Sequence, residues 1–148
     1  GYAWYPSDPA RPGDPVAGNV DAAADAVLAW LAGLDRVPPR VGALGFSQGG
    51  AMSIHLLRRG PAVSFALDLA GVVVEGVQDG DARLAVERPP VYWGRGALDG
   101  LFTPALIERA EAWLPAHTAP ETVVYPDLGH SVSDEMLRDV IAFLEARR

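Results

Sequence analysis

A serine flanked by glycines is the first residue whose type and spacing could do chemistry. Residues 45–49 read Gly-Phe-Ser-Gln-Gly and satisfy the pattern G-x-S-x-G, with Ser47 at its centre. In this pattern a sharp strand-to-helix turn exposes the serine hydroxyl, and the flanking glycines let the turn close. The start of the helix would favour negative charge developing beside the serine. The motif therefore predicts that Ser47 is a nucleophile; the alternative is a glycine-rich turn that holds an incidental serine.

A serine hydroxyl needs a general base, and the chain contains three histidines. His130 lies in the loop after a predicted strand at 122–125, and sites in α/β sheets form at the carboxyl ends of strands. His55 lies inside the predicted helix after the serine, where we expect it to pack or face solvent. His117 lies in a proline-rich connection that we expect at the surface. We therefore predict that His130 is the base.

The acid that orients the base should precede the histidine along the chain. Asp99 meets this requirement, because it follows the short predicted strand at 91–93. Asp127 is the competitor, but it lies only three residues before His130 and is poorly placed to hold the far imidazole nitrogen. Asp68 lies within a strand pattern, where an unpaired carboxylate would be costly to bury. We therefore predict Asp99.

The elements that must position these side chains alternate between apolar runs and helical patterns. Strands are predicted at residues 40–46, in the first part of 63–74, at 91–93 and at 122–125. Helices are predicted to begin at Val16, Gln48, Thr103 and Ser133, the last two with N-caps. Apolar strands alternating with helices indicate an α/β fold, with a mostly parallel sheet covered by helices on both faces. One domain spanning residues 1–148 is the simplest interpretation.

Two finer expectations concern packing. The aromatic residues of the loop at 1–15 are expected to pack against the rest of the chain; they are Tyr2, Trp4 and Tyr5. The last helix is expected to turn one apolar face inward, formed by Met136, Leu137, Val140, Ile141 and Leu144. The segment at 75–90 is expected to be a polar loop with at most one helical turn.

Composition bounds the class of protein. The chain has 148 residues, of which 49% are hydrophobic, enough for a globular core. The absence of cysteine excludes disulfides, thiolate metal sites and a cysteine nucleophile. A net charge of −7 argues against nucleic acid or an anionic membrane as a partner. No apolar run approaches the ~20 residues of a membrane span, no signal peptide is visible, and we expect a cytoplasmic protein.

Four segments together resemble one known family. They are residues 45–50 (Gly-Phe-Ser-Gln-Gly-Gly), 93–99 (Trp-Gly-Arg-Gly-Ala-Leu-Asp), 125–131 (Tyr-Pro-Asp-Leu-Gly-His-Ser) and 2–5 (Tyr-Ala-Trp-Tyr). The chain resembles the phospholipase/carboxylesterase family of α/β-hydrolases, which includes the acyl-protein thioesterases. Gly100 and Thr103 stand where the family often has proline. The resemblance implies two-step acyl transfer by a serine hydrolase, without a metal or organic cofactor.

The resemblance also marks one large departure. Members of the family carry further N-terminal strands and a His-Gly-x-Gly-like loop that supplies one of two oxyanion N–H donors, and nothing in this chain matches them. The other donor, the N–H of Gln48, is present. Without those strands the strand at 40–46 becomes an open edge. We therefore expect that the chain, which begins with Gly1, is the C-terminal part of a longer hydrolase, or that it pairs with a second copy as a homodimer.

The expected function is hydrolysis of small, neutral acyl esters or thioesters. Leu101 and Phe102, after the acid, and Met52, on the helix after the serine, are candidate walls of the substrate pocket; Met52 could equally belong to the core. A hydrolase-fold module used only for binding is the rival. A lactonase of the dienelactone hydrolase type is less favoured, because that type usually bears cysteine at the nucleophile position.

Overall fold

The structure is a computed structural model that describes residues 2–147. The elements in chain order are α1 (Ala17–Ala32), β1 (Gly42–Phe46), α2 (Gln48–Arg59), β2 (Phe65–Leu69), α3 (Asp81–Glu87), β3 (Pro90–Gly96), α4 (Pro104–His117), β4 (Ala119–Tyr125) and α5 (Asp134–Glu145). The strands form a four-stranded sheet in the order β1-β2-β3-β4, and every neighbouring pair is parallel. This architecture confirms the predicted α/β class.

Helices cover both faces of the sheet, because side chains alternate along each strand. On one face Ala66, Val91 and Trp93 pack in a core cluster with buried residues of α1, α2, α3 and α4. On the other face Leu67 and Tyr92 pack with buried residues of α5. Because both faces are covered, β2 and β3 are buried along most of their length, as the apolar runs predicted.

The strand that leads to Ser47 differs from its neighbours, because β1 lies at the edge of the sheet. A buried strand was predicted at 40–46, but the strand covers only 42–46 and is largely exposed. The side chains of Leu44 and Phe46 are 55% and 41% exposed. No strand within residues 2–147 pairs with the outer edge of β1. The core cluster beneath α5 includes neither Leu44 nor Phe46, so these apolar side chains stay partly uncovered.

Several element details correct the sequence-based predictions. β3 and β4 extend beyond the predicted strands, and α3 forms within the predicted loop at 75–90. The Ser133 hydroxyl accepts a hydrogen bond from the Met136 N–H at 3.1 Å, whereas the Thr103 side chain makes no capping bond. The inner face of α5 is Met136, Val140 and Phe143, so Leu137, Ile141 and Leu144 are exposed.

The loop before α1 is anchored at one aromatic residue. Tyr5 is buried, whereas Tyr2 is fully exposed and Trp4 is mostly exposed, so the expectation of packing holds for Tyr5 and is wrong for Tyr2. Within residues 2–147, no helix is long and apolar enough to cross a bilayer.

Candidate active site

Ser47 lies at a sharp turn between the end of β1 and the start of α2. Its backbone has φ +57° and ψ −117°, a conformation that costs energy for a residue with a side chain. The Ser47 N–H donates to the Leu69 carbonyl at 2.8 Å, which ties the turn to the end of β2. A strained serine between a strand and a helix is the backbone geometry that the G-x-S-x-G pattern predicts.

Close approaches explain two of the three glycines around this turn. A Cβ atom on Gly45 would lie 2.0 Å from the Gly49 carbonyl oxygen, and one on Gly50 would lie 2.1 Å from Asp68 Oδ1. A Cβ atom on Gly49 would meet only the Trp4 indole nitrogen, at 3.4 Å. Gly45 and Gly50 are therefore required by packing, and the steric role predicted for Gly49 is not needed.

The structure brings Ser47, His130 and Asp99 together, although they lie 83 and 31 residues apart along the chain. His130 Nε2 lies 2.8 Å from Ser47 Oγ, and His130 Nδ1 lies 2.7 Å from Asp99 Oδ2. An ionised carboxylate only accepts hydrogen bonds, so this contact places a proton on Nδ1 and leaves Nε2 free to accept from the serine. These contacts have the geometry that was predicted for a nucleophile, a base and an orienting acid.

The loops that carry the acid and the base are joined by backbone contacts. The Ala97 N–H donates to the Tyr125 carbonyl at 2.8 Å, and the Leu98 N–H donates to the Leu128 carbonyl at 2.9 Å. A Cβ atom on Gly96 would lie 2.0 Å from the Leu128 carbonyl oxygen, so the approach requires glycine there. The relative position of Asp99 and His130 is therefore set by the pairing of β3 with β4.

Aromatic rings hold the base from two sides. The His130 ring lies 4.9 Å from the Phe46 ring and 5.5 Å from the Phe102 ring, measured between centroids. The Asp99 Oδ1 atom accepts a further hydrogen bond from the Leu101 N–H at 3.0 Å. Packing and hydrogen bonding thus restrict both the imidazole and the carboxylate to one orientation.

Gln48 has a second role that sequence reasoning missed. Its N–H lies at the first position of α2, where a helix leaves the N–H without an intrahelical acceptor. Its side chain holds the loop before α1: Oε1 accepts from the Trp4 N–H at 2.7 Å, and Nε2 donates to the Tyr5 carbonyl at 2.9 Å. The sequence did contain a signal for this contact. Residues 2–5 and 45–50 both resemble the same family, and the two segments meet at the Gln48 side chain.

A cavity of about 200 Å³ opens beside Ser47 and Gln48. Leu101 and Phe102 line it, as predicted for the substrate pocket. Met52 does not: its side chain is 2% exposed, belongs to the core, and borders a different groove beside β1. Of the three pocket candidates, the structure therefore brings two to the nucleophile.

The two other histidines lie elsewhere. His55 is buried, and its Nε2 lies 2.6 Å from Asp21 Oδ1. Burial lowers the pKa of His55 below its ordinary value. His117 ends α4 and stacks on the Trp113 ring at 4.5 Å, half-buried where a surface position was predicted.

Asp68 is a fully buried carboxyl group beneath the turn that carries Ser47. Its Oδ1 atom has no hydrogen-bond partner within residues 2–147. Burial raises the pKa of Asp68 well above its ordinary value, although the Gly71 backbone lowers it in part, so burial favours the neutral form of this side chain. A neutral side chain here adds no negative charge beside Ser47.

We expect Asp68→Asn to change how stability depends on pH. The raised pKa of Asp68 means that its contribution to stability is complete below the ordinary carboxyl pKa, near pH 4, and is lost as the pH rises towards the raised value. Asparagine has nearly the same shape and cannot ionise. The variant should therefore lose less stability than the parent as the pH rises from 4, as measured by urea unfolding.

The matched control for this prediction is Asp79→Asn, at an exposed carboxyl. It should leave the pH profile of the urea midpoint unchanged. Parallel profiles for the parent and Asp68→Asn would contradict the assignment of a neutral, buried carboxyl.

Solved structures with this architecture include several hydrolases. The chain is similar to esterase PE8, with 25% identity and a TM-score of 0.77 over 99% of this chain and 70% of that one. It is similar to acyl-protein thioesterase 2 of Zea mays, with 20% identity and a TM-score of 0.76 over 97% and 71% of the two chains. A phospholipase/carboxylesterase of Dyadobacter fermentans gives 21% identity and a TM-score of 0.70 over 95% and 71%. No family model and no curated protein sequence matches the chain.

The protein has the α/β-hydrolase fold, on the strength of its parallel sheet and of neighbours that cover almost all of the chain. The predicted resemblance to the phospholipase/carboxylesterase family is confirmed for the fold, which the chain shares with an esterase, an acyl-protein thioesterase and a phospholipase/carboxylesterase. The likeness to esterase PE8, at 25% identity, supports a hydrolase function.

Proposed function

We propose that the protein is a serine carboxylesterase that hydrolyses small acyl esters or thioesters through an acyl-enzyme intermediate. The observation that carries the proposal is the chain of hydrogen-bond contacts from Ser47 Oγ through His130 to Asp99, at 2.8 and 2.7 Å. Ser47 also lines a cavity large enough for a small acyl group. The strained turn at Ser47 supports the same assignment, because strain of this kind clusters at functional sites.

In the acylation step, Ser47 Oγ attacks the carbonyl carbon of the ester while His130 Nε2 takes the hydroxyl proton. Asp99 stabilises the imidazolium that forms and keeps Nδ1 protonated. The carbonyl oxygen becomes an oxyanion, and the N–H of Gln48 donates to it. His130 then gives its proton to the departing alcohol or thiol.

In the deacylation step, His130 removes a proton from water, which attacks the acyl-serine. The second tetrahedral intermediate collapses, the acid leaves, and the Ser47 hydroxyl is regenerated. Every proton moves between His130, Ser47, water and the leaving group, so these steps require no metal or organic cofactor.

The oxyanion site contributes one donor from the residues described, and a second would strengthen it. Removing one such donor typically costs about 2.7–4 kcal/mol of transition-state stabilisation. We propose that the chain is part of a longer hydrolase in which a further β-segment pairs with β1 and brings the second donor. The exposed apolar side chains of β1 support this, as does the apolar groove of about 370 Å³ beside it, which Trp4 and Trp30 also line.

The size of the native gene product tests this organisation. We expect a polypeptide longer than 148 residues, in which the amides of β1 exchange slowly because the edge is paired. A 148-residue monomer with rapidly exchanging β1 amides would contradict it. A product of 148 residues that forms a dimer in light scattering would instead favour pairing between two copies.

Labelling by a fluorophosphonate probe tests the catalytic assignment. We expect covalent labelling at Ser47, located by peptide mass spectrometry, because the probe reports a serine activated by its base. The rival is a hydrolase-fold module used only for binding, and a folded sample that resists labelling would favour it. A panel of esters and thioesters of rising chain length then defines the acyl preference.

A further inference from the structure

The cavity beside Ser47 is lined by apolar and polar side chains. Besides Ser47, Gln48 and Phe102, its lining includes Ser7, Arg11 and Asp14 from the loop before α1. At about 200 Å³, it holds roughly seven groups the size of a water molecule. An apolar acyl chain of that length would strip water from the polar groups without replacing their hydrogen bonds, which is unfavourable.

The part of the substrate that enters this cavity follows from the proposed chemistry. The leaving group must lie against His130, which gives it a proton. His130 does not line the cavity, whereas Ser47 and Gln48 do. We therefore place the acyl side of the ester in the cavity, where its side chain meets the lining residues Arg11 and Ser7.

Arg11, which lines the cavity, has unused hydrogen-bonding capacity. Its hydrogen bonds to Asp14 and Glu75 both come from Nη2. Within residues 2–147, Nη1 and Nε of Arg11 make no hydrogen bond to protein. A guanidinium with free N–H groups in a fixed fork is suited to a carboxylate.

The neighbouring carboxylate is already satisfied and does not compete for the substrate. Asp14 Oδ1 and Oδ2 accept from Arg109 at 2.8 and 3.3 Å, and Oδ2 also accepts from Arg11 at 2.5 Å. Although burial raises the pKa of Asp14, the hydrogen bonds from Arg109 and Arg11 lower it below its ordinary value overall. The ionised Asp14 carboxylate thus positions the Arg11 side chain beside the cavity through their hydrogen bond.

We propose that this cavity selects short acyl groups that end in a carboxylate, such as half-esters of six-carbon dicarboxylic acids, and that Arg11 binds that carboxylate. This inference rests on the proposed esterase function and replaces the neutral acyl group with an anionic one. The net charge of −7 does not oppose it, because charges beyond about 8 Å are largely screened at physiological ionic strength.

The test compares monomethyl adipate with methyl hexanoate, a neutral ester of the same chain length, and follows acid release. We expect Arg11→Gln to lower kcat/KM for monomethyl adipate about 10-fold, the usual scale of a charged hydrogen bond, and to do so through KM. The value for methyl hexanoate should fall by a smaller factor, because that ester has no carboxylate for Arg11 to bind. Arg11→Lys should lower kcat/KM for monomethyl adipate less than Arg11→Gln does. Lysine retains the positive charge but lacks the paired N–H donors of the guanidinium.

Glu75→Gln is a second variant, and we expect it to increase the preference for monomethyl adipate, which Arg11→Gln should decrease. Glu75 is 58% exposed and holds Arg11 from outside the cavity. Removing its charge should raise the preference for monomethyl adipate by up to about fivefold, the range of a surface ion pair. Because the change is nearly isosteric and exposed, it keeps the inference testable if Arg11→Gln does not fold.

The outcomes separate this inference from the proposed function. If methyl hexanoate and p-nitrophenyl acetate are hydrolysed but monomethyl adipate is not preferred, or if neither Arg11 nor Glu75 variants shift the ratio, the inference is wrong and the esterase stands. If a folded parent hydrolyses none of the three esters, the esterase proposal fails and the inference fails with it.

Discussion

Ser47→Ala is expected to lower kcat for p-nitrophenyl acetate by about 10⁴-fold or more, because it removes the nucleophile on which both steps depend. The fold should persist, since alanine occupies less space than serine and the turn is held by backbone contacts such as the hydrogen bond from Ser47 N–H to Leu69. Steady-state kinetics and a thermal melt on the same sample measure both quantities.

Ser64→Ala is the matched control for this substitution. Ser64 lies just before β2, outside the cavity beside Ser47, and its N–H bonds to the Val41 carbonyl through the backbone. The control should retain both activity and fluorophosphonate labelling. Turnover of Ser47→Ala at the parent rate would end the assignment of Ser47 as nucleophile.

Asp99→Asn is expected to lower kcat by about 10³–10⁴-fold with little change in stability. An asparagine amide can donate to His130 Nδ1, which moves the ring proton to Nε2, and Nε2 then cannot accept from Ser47. The Asn oxygen can still accept the hydrogen bond that Leu101 N–H gives to Asp99 Oδ1. The loop therefore keeps its shape while the imidazole holds the wrong tautomer.

Asp127→Asn is the control that separates the two candidate acids. Asp127 is exposed on the histidine loop, and its replacement should change kcat by less than about twofold. If Asp127→Asn were the inactive variant and Asp99→Asn the active one, the contacts between His130 and Asp99 would not describe the working site.

The open edge of β1 affects how these rates should be measured. A site with one oxyanion donor is expected to turn over about 10²–10³-fold more slowly than a site with two. The variants should therefore be compared in the native gene product as well as in the 148-residue chain. The informative quantity is the ratio of the kcat of the variant to the kcat of the parent. The lack of a second oxyanion donor would lower both values and would leave their ratio unchanged.

Local signals in the sequence predicted the parts of the site that depend on nearby residues. The start of α2 was predicted at Gln48 and is found there, because the glycine-flanked turn and the helical period that follows it both lie in one short segment. His130 and Asp99 were predicted from their order and their positions after strands. In a parallel sheet the carboxyl ends of all strands lie at the same edge. Residues that directly follow different strands can therefore lie close together.

Residues whose state depends on distant neighbours could not be predicted in this way. Met52 has a side chain suited to a pocket wall, but whether it reaches the substrate or the core depends on how α2 rotates against the sheet. The inner face of α5 also differs from the prediction, since Phe143 is buried whereas Leu137 and Ile141 are exposed. The three side chains are similarly apolar, so residue type could not distinguish them. Residue type alone gives each of these apolar residues the same tendency to be buried. Only the packing of the folded chain decides which of them face the core.

The sequence by itself determined that the chain forms an α/β sheet and that Ser47 sits on a strained turn with His130 and Asp99 in the order of a serine hydrolase. It could do so because tight turns and buried strands restrict residue type locally. Tertiary structure alone decided that Gln48 anchors the loop before α1, that Asp68 is fully buried beneath the turn, and that Arg11 lines the cavity. Those outcomes depend on which groups face each other after folding, and on how much water remains between them, neither of which is encoded in any one segment.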